Sequence, residues 1–237
     1  MKNSIHLLKS NNDEVIIGID DEKCIVKLDH GYYFLNHDEY KRYFIDTKLY
    51  EVGVIKDSPV LTILMLITIV FTIIFYFCNS NYTLYDSNFI YANIILFFNI
   101  LIHECGHIII LKSLRKKSKI KIGFKFHFIY PAFYVDTSDS YFLPKYKRIA
   151  VYLAGNFFNC LYILITYLFV PSISKYNYIL MSTILINFLP IIKSDGYYAI
   201  KAFFNKYNFD MSKKLKFIDD TIRGIIMFIF LYIISRI

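Results

Sequence analysis

Residues 89–111 read FIYANIILFFNILIHECGHIIIL, and this stretch decides the fold. A helix crossing the hydrocarbon of a bilayer needs about 20 mainly apolar residues, and Phe89–Leu111 is long enough. The run is mostly Ile, Leu and Phe, broken near its end by His103, Glu104 and His107. Ionisable groups inside a membrane span are costly, so by default they mark function. On a helix, residues four apart share a face, so both imidazoles can reach one Zn²⁺ at about 2.0–2.1 Å. Glu104 is offset by one position, adjacent to the metal but free to act on a water molecule there. The plainer reading of the same residues is a polar cluster that bonds between helices, or a proton relay.

The rest of the chain agrees with a membrane setting. Of 237 residues, 56% are hydrophobic and 19% charged, below the usual quarter, and the mean hydropathy is +0.42. Intrinsic disorder is excluded, and with 8 Gly and 5 Pro so is a fibrous chain. A net charge of +8 in a soluble protein would suggest nucleic acid. Here the basic residues fall between long apolar runs, so membrane lipid is the expected partner and nucleic acid is not. The four cysteines have neither zinc-ribbon nor CxxC spacing and read as small buried hydrophobes. Met1–Asp29 has no apolar signal segment.

Working outward, Leu61–Cys78 reads as a span before Phe89–Leu111, and Ile149–Val170 and Tyr178–Ile192 as spans after it. Gly224–Ile234 is a shorter fifth candidate. Residues 1–56 are polar, with strands at Val15–Ile19, Cys24–Leu28 and Tyr32–Leu35. Asn36 and Glu39 have the spacing of a reciprocal helix cap, opening a helix to about Thr47. The expected architecture is an α-helical polytopic membrane protein with about five transmembrane helices. It has a small N-terminal α+β module over 1–56 and a membrane domain over 57–237.

Lys and Arg crowd the segment between the second and third spans and the stretch after Asp195, which places both in the cytoplasm. The chain is therefore expected to be multi-pass in the cell membrane with its N-terminal module cytoplasmic. His103 and His107 then lie near the cytoplasmic end of the second span, and Asp195 ends the inward-running fourth span at similar depth. Within the basic loop, Ile120, Ile122, Phe124, Phe126 and Phe128 alternate with polar residues, a strand pattern that continues through Pro131–Val135 as a hairpin. A sheet edge cannot face lipid, so the hairpin belongs at the interface or inside the protein. Asp136 and Asp139 just beyond it read as exposed, solvated acids, or as groups that contact substrate or order the loop.

A catalytic zinc site usually has three protein ligands and one open position. His127 sits in the strand pattern, and His6, His30 and His37 sit in the N-terminal module, so no third histidine fits. Asp195 does. Pro190 should break the fourth span before it, and Gly196 permits a tight turn after it.

HExxH in one span and Asn187-x-x-Pro190-x-x-x-x-Asp195-Gly196 in a later one resemble the site-2 protease family of intramembrane zinc metalloproteases. The resemblance covers roughly Phe89–Phe204. Pro131–Asp139 and Lys193–Tyr198 look closer to a subgroup, the peptide zinc metalloproteases found beside bacterial modified-peptide and bacteriocin export systems. The resemblance implies a metal set of His103, His107 and Asp195, with Glu104 as catalytic base. Ala154-Gly155-Asn156-Phe157-Phe158-Asn159 keeps the wider family's third-span pattern except for Asn156 where that family has Pro. By this match Asn159 faces the site to steady substrate or an oxyanion, and Asn187 joins it in substrate binding. The module at 1–56 is loosely similar, through Gly31–Asn36, to winged-helix domains that grip leader peptides. A plain cytoplasmic anchor reads equally well.

The resulting expectation is hydrolysis of a peptide bond in a small peptide precursor or transmembrane segment near the cytoplasmic face. A peptide-modification enzyme and an exporter from the same operon are the expected partners. Two other classes compete: a catalytically inactive membrane binding or immunity protein, and a small ion or metal transporter using His103, Glu104 and Asp195 as a pathway. The intact base Glu104 argues against the first, and the uncharged Leu61–Cys78 argues against the second.

Overall fold

Sequence patterning at the N-terminus produces an antiparallel sheet larger than the three strands expected. The structure is a computed structural model that describes residues 4–10, 15–20, 23–28, 31–45, 47–79, 88–127, 130–189 and 194–204. Strands β1 (Ser4–Ser10), β2 (Val15–Ile19), β3 (Cys24–Leu28), β4 (Gly31–Leu35) and β5 (Leu49–Lys56) order as β4-β3-β2-β1-β5. The two strands not expected, β1 and β5, pair with each other, so the module's first and last segments close it. Helix α1 (His37–Phe44) begins at the Asn36–Glu39 capping box and ends a turn before Thr47.

Among the described residues, three helices are long and apolar enough to cross a membrane: α2 (Val60–Asn79), α3 (Phe89–Leu114) and α4 (Lys145–Phe169). They play different parts. The apolar window of α4 is 67% buried inside the protein, against 28% for α2 and 33% for α3. Helix α4 is therefore the central post, with α2 and α3 packed around it. On α2, Met65, Ile69, Thr72 and Tyr76 form a buried stripe at helical spacing, while Ile63, Ile67, Val70 and Phe71 are exposed. An apolar face of that extent suits lipid rather than water. Asp57 reaches the start of α4, its carboxylate accepting from the N–H groups of Tyr146 at 3.1 Å and Lys147 at 3.3 Å.

The expectation of five spans is only partly met among the described residues. A four-residue turn α5 (Pro171–Ser174) leads to α6 (Asn177–Phe188), whose 12 residues extend about 18 Å, short of a full crossing. The residue before Pro190, Leu189, is extended, the conformation proline imposes on its predecessor, so the helix stops there. A last described helix, α7 (Asp195–Phe203), packs against α4. Gly224–Ile234 and Pro190 lie outside the described residues. Cys24 and Cys160 are buried as expected; Cys78 and Cys105 are exposed, on helix faces that also expose large apolar side chains.

Between α3 and α4, β6 (Lys121–His127) and β7 (Tyr130–Asp136) form the expected hairpin, with Phe124 opposite Phe133. A 3-10 turn follows at Ser138–Phe142. It corrects the reading of Asp139 as a solvated acid, because that side chain is 1% exposed. Its carboxylate binds Lys27 of β3, Tyr32 of β4, Arg115 at the end of α3 and the Lys119 N–H. Tyr141 and Phe142 from the same turn pack with Ile5, Leu7 and Ile25 of the sheet. A Cβ on Gly18 would lie 2.8 Å from the Phe142 ring, so a bare backbone there lets the turn seat against the sheet.

Candidate metal centre

Helix α3 carries its two histidines on the face that meets α4, and small residues there let the helices close. A Cβ on Gly106 would lie 2.9 Å from the Ala154 carbonyl oxygen, so the two helix backbones approach each other closely here. His107 is buried, and its Nδ1 lies 2.7 Å from the Val151 carbonyl of α4. A carbonyl can only accept, so Nδ1 carries the hydrogen and the neutral ring keeps its lone pair on Nε2. That Nε2 points at His103 Nε2, 3.3 Å away, and at Asp195 Oδ2, 3.2 Å away.

His103 Nε2 lies 2.9 Å from the same Asp195 oxygen. On its other side, His103 Nδ1 is 3.1 Å from the Asn159 amide of α4. Asn159 Oδ1 is buried and, with the amide turned this way, has no partner among the described residues. Exchanging the two ends of that amide places Oδ1 to accept from Nδ1–H, which satisfies the orphan and frees His103 Nε2 as a ligand. Asn187 treats Asp195 similarly: its Nδ2 donates to Oδ2 at 3.0 Å, and the Asp195 N–H donates to Asn187 Oδ1 at 3.4 Å. Asn159 and Asn187, expected to bind substrate, thus contact the His103 and Asp195 side chains respectively.

The residues fit a divalent cation. Three ligand atoms lie 2.9, 3.2 and 3.3 Å apart. Ligands at about 2.0–2.1 Å in tetrahedral array lie about 3.3 Å from one another, so this triangle matches one face of such a shell. The nitrogen–oxygen donor set suits zinc, and each ligand has an outer partner: Asn159, Val151 and Asn187 respectively. Among the described residues, His103, His107 and Asp195 form the group able to hold a metal ion.

Glu104 stands beside this group without joining it. Its Oε2 accepts the Val135 N–H of β7 at 2.8 Å, so the hairpin runs past this carboxylate. A cavity of about 340 Å³ opens next to His103 and Glu104, lined also by Asn99, Asn156, Asn159 and Asn187. Gly196 lies in the first turn of α7 rather than in a loop. A Cβ there would lie 2.8 Å from Asn187 O and Phe188 Cα, so the glycine serves close approach of α7 to the end of α6. Asn156, in place of the resembled pattern's Pro, is buried and accepts from Asn187 at 3.2 Å. Reading the sequence alone passes over Asn99, although a polar residue four before His103 in an apolar run is itself the signal. Of the other histidines whose side chains are described, His6 pairs with Glu51, and His37 lies beside Cys24.

Over 123 residues the chain is 38% identical to a Bacillus subtilis (strain 168) protein named "Putative peptide zinc metalloprotease protein YydH". The aligned part is 46% of this chain and 47% of that protein, so the chain spans about half the length of the curated relative it matches. That name coincides with the subgroup the motifs resemble; the likeness to the wider site-2 protease family rests on the motifs themselves. No protein-family profile matches the chain, and no solved structure does.

Proposed function

We propose that the chain is a zinc metalloendopeptidase that hydrolyses a peptide bond within or beside the membrane, near its cytoplasmic face. The observation that carries this reading is the convergence of His103, His107 and Asp195 on one point with Glu104 alongside and a cavity beside them. Zinc held there supplies a Lewis acid that polarises the scissile carbonyl and lowers the pKa of a water toward about 7. Glu104 takes the proton of the attacking water and passes it to the departing amine. The Val135 N–H holds the Glu104 carboxylate in place at the cavity edge. The hairpin offers a substrate segment an extended neighbour once its helix has unwound.

The substrate on this reading is a small peptide precursor or a membrane-associated segment, with a modification enzyme and an exporter as companions. The positive loops favour a cytoplasmic N-terminal module. A protein that keeps the zinc fold and only binds, as an immunity protein would, has no use for Glu104. The test is zinc content together with cleavage of a small peptide encoded beside this chain's own gene. Glu104→Gln should keep zinc at wild-type stoichiometry and lose turnover by a factor of 100 or more, within the range of about 10²–10⁴ for a general base. Unchanged turnover would remove Glu104 from the mechanism, and absence of zinc would remove the proposal.

A further inference from the structure

Asn99 precedes His103 by four residues on α3, so the two share a face, and it is only 2% exposed. Its amide has a defined orientation. Thr183 donates its single hydroxyl hydrogen to the Leu180 carbonyl at 2.7 Å, so toward Asn99 it can only accept. Asn99 Nδ2 faces that hydroxyl at 3.4 Å. Its Oδ1 is left buried without a hydrogen-bond partner among the described residues, in a side chain that lines the cavity.

A second amide in the same cavity is fixed by similar logic. Asp195 engages both ends of Asn187, accepting from Nδ2 and donating its N–H to Oδ1. Asn187 therefore presents Nδ2 to Asn156, whose Oδ1 accepts it. Asn156 Nδ2 is left without a partner among the described residues, in a residue with no exposure at all. Buried amide atoms in folded proteins are nearly always paired. An acceptor and a donor left open on one cavity call for a ligand that brings both, and a peptide backbone does.

We propose that Asn99 and Asn156 form a backbone-reading subsite, in which Asn99 Oδ1 accepts a substrate N–H and Asn156 Nδ2 donates to a substrate carbonyl. The subsite rests on the peptidase reading and adds what an unwound substrate needs, since lipid offers its freed amides no partner. Four residues of α3 rise about 6 Å, and an extended chain advances about 3.3 Å per residue. Asn99 therefore meets the substrate about two residues from the scissile bond. Recognition of main-chain atoms selects an extended conformation and tolerates many side chains.

The experiment uses the zinc-loaded 237-residue chain in detergent micelles and measures probe binding, so no turnover is needed. Acetohydroxamate reaches the metal alone. Two peptide hydroxamates extend three leucines from the chelating group, one in the N-terminal and one in the C-terminal direction. Each is also made with its amide N–H groups replaced one at a time by ester oxygen. In the wild type, one ester analogue should bind about tenfold more weakly than its parent. In Asn99→Leu the parent should weaken by a similar factor, that ester should cost nothing further, and acetohydroxamate should bind as before. Asn99→Asp keeps an acceptor oxygen and should retain the parent's affinity. Full parent affinity in Asn99→Leu, or an ester penalty that persists there, overturns the subsite and leaves the peptidase reading intact. A zinc-loaded wild type that binds no hydroxamate overturns both. Should Asn99→Leu lose zinc through misfolding, the wild-type ester series decides, and an absence of any ester penalty sinks the subsite.

Discussion

Gly155 of α4 lies so close to the His103 imidazole that a Cβ on residue 155 would fall 2.3 Å from the ring Cε1 and 2.4 Å from Nε2. The ring cannot swing freely away, because Asn159 engages its Nδ1 and Asp195 its Nε2. The missing side chain is thus part of the imidazole's seat. Gly155→Ala should displace Nε2 and weaken zinc binding by about tenfold or more, the scale on which outer-shell changes act. Competition with a chromophoric chelator measures this, with far-UV circular dichroism confirming that the helices persist. Wild-type zinc affinity in this variant would mean the imidazole sits elsewhere when metal is bound.

Asn159 separates two roles in one pair of measurements. The geometry gives it the His103 Nδ1–H to hold, whereas the resemblance implies a contact with substrate. Asn159→Leu should lower zinc affinity by about 10- to 100-fold if it orients the ligand, and Asn159→Asp, which still accepts, should hold it near wild type. If the residue touches only substrate, zinc affinity stays constant while KM for a cleaved peptide rises.

Much of this centre is visible in the chain before any fold is known, because charge in an apolar run is conspicuous. HExxH brings His103 and His107 to one helix face with Glu104 beside them by helical spacing alone. Asp195 follows from depth and from the break at Pro190. The capping box at Asn36 and the hairpin are equally local patterns and appear where expected. What escapes is what depends on contacts between distant elements. The Val151 carbonyl and the Val135 N–H are main-chain atoms that no residue type announces. Strands β1 and β5 become legible only when they pair across the module. The shortness of α6 is hidden by an apolar stretch running past Phe188 to Ile192, which hydropathy alone does not interrupt.

Asp139 and Lys27 are separated by 112 residues, yet their ion pair, at 2.5 Å, ties the sheet to the turn that follows the hairpin. Burial pushes the Asp139 carboxyl up, but Lys27, Tyr32, Arg115 and the Lys119 N–H outweigh it and hold it below the usual carboxylate range. Burial, and then the bond to Asp139, push the Tyr32 hydroxyl well up, so it remains a donor at every ordinary pH. A folded-state pKa below the unfolded value of about 3.9 contributes stability that is fully present above that value. The contribution is lost as pH falls through the folded value. Docking of the sheet should therefore be flat with pH from neutrality to about pH 4 and weaken only in stronger acid. Asp139→Asn strands Lys27 and Arg115 without a counter-charge and should cost about 3 kcal/mol. In that variant the acid-dependent loss should vanish because the titrating group is gone. Hydrogen exchange of β3 and β4 across a pH series, corrected for intrinsic rates, reads both effects. Equal protection in wild type and Asp139→Asn would show that the apolar contact of Phe142 with the sheet suffices to hold the two units together.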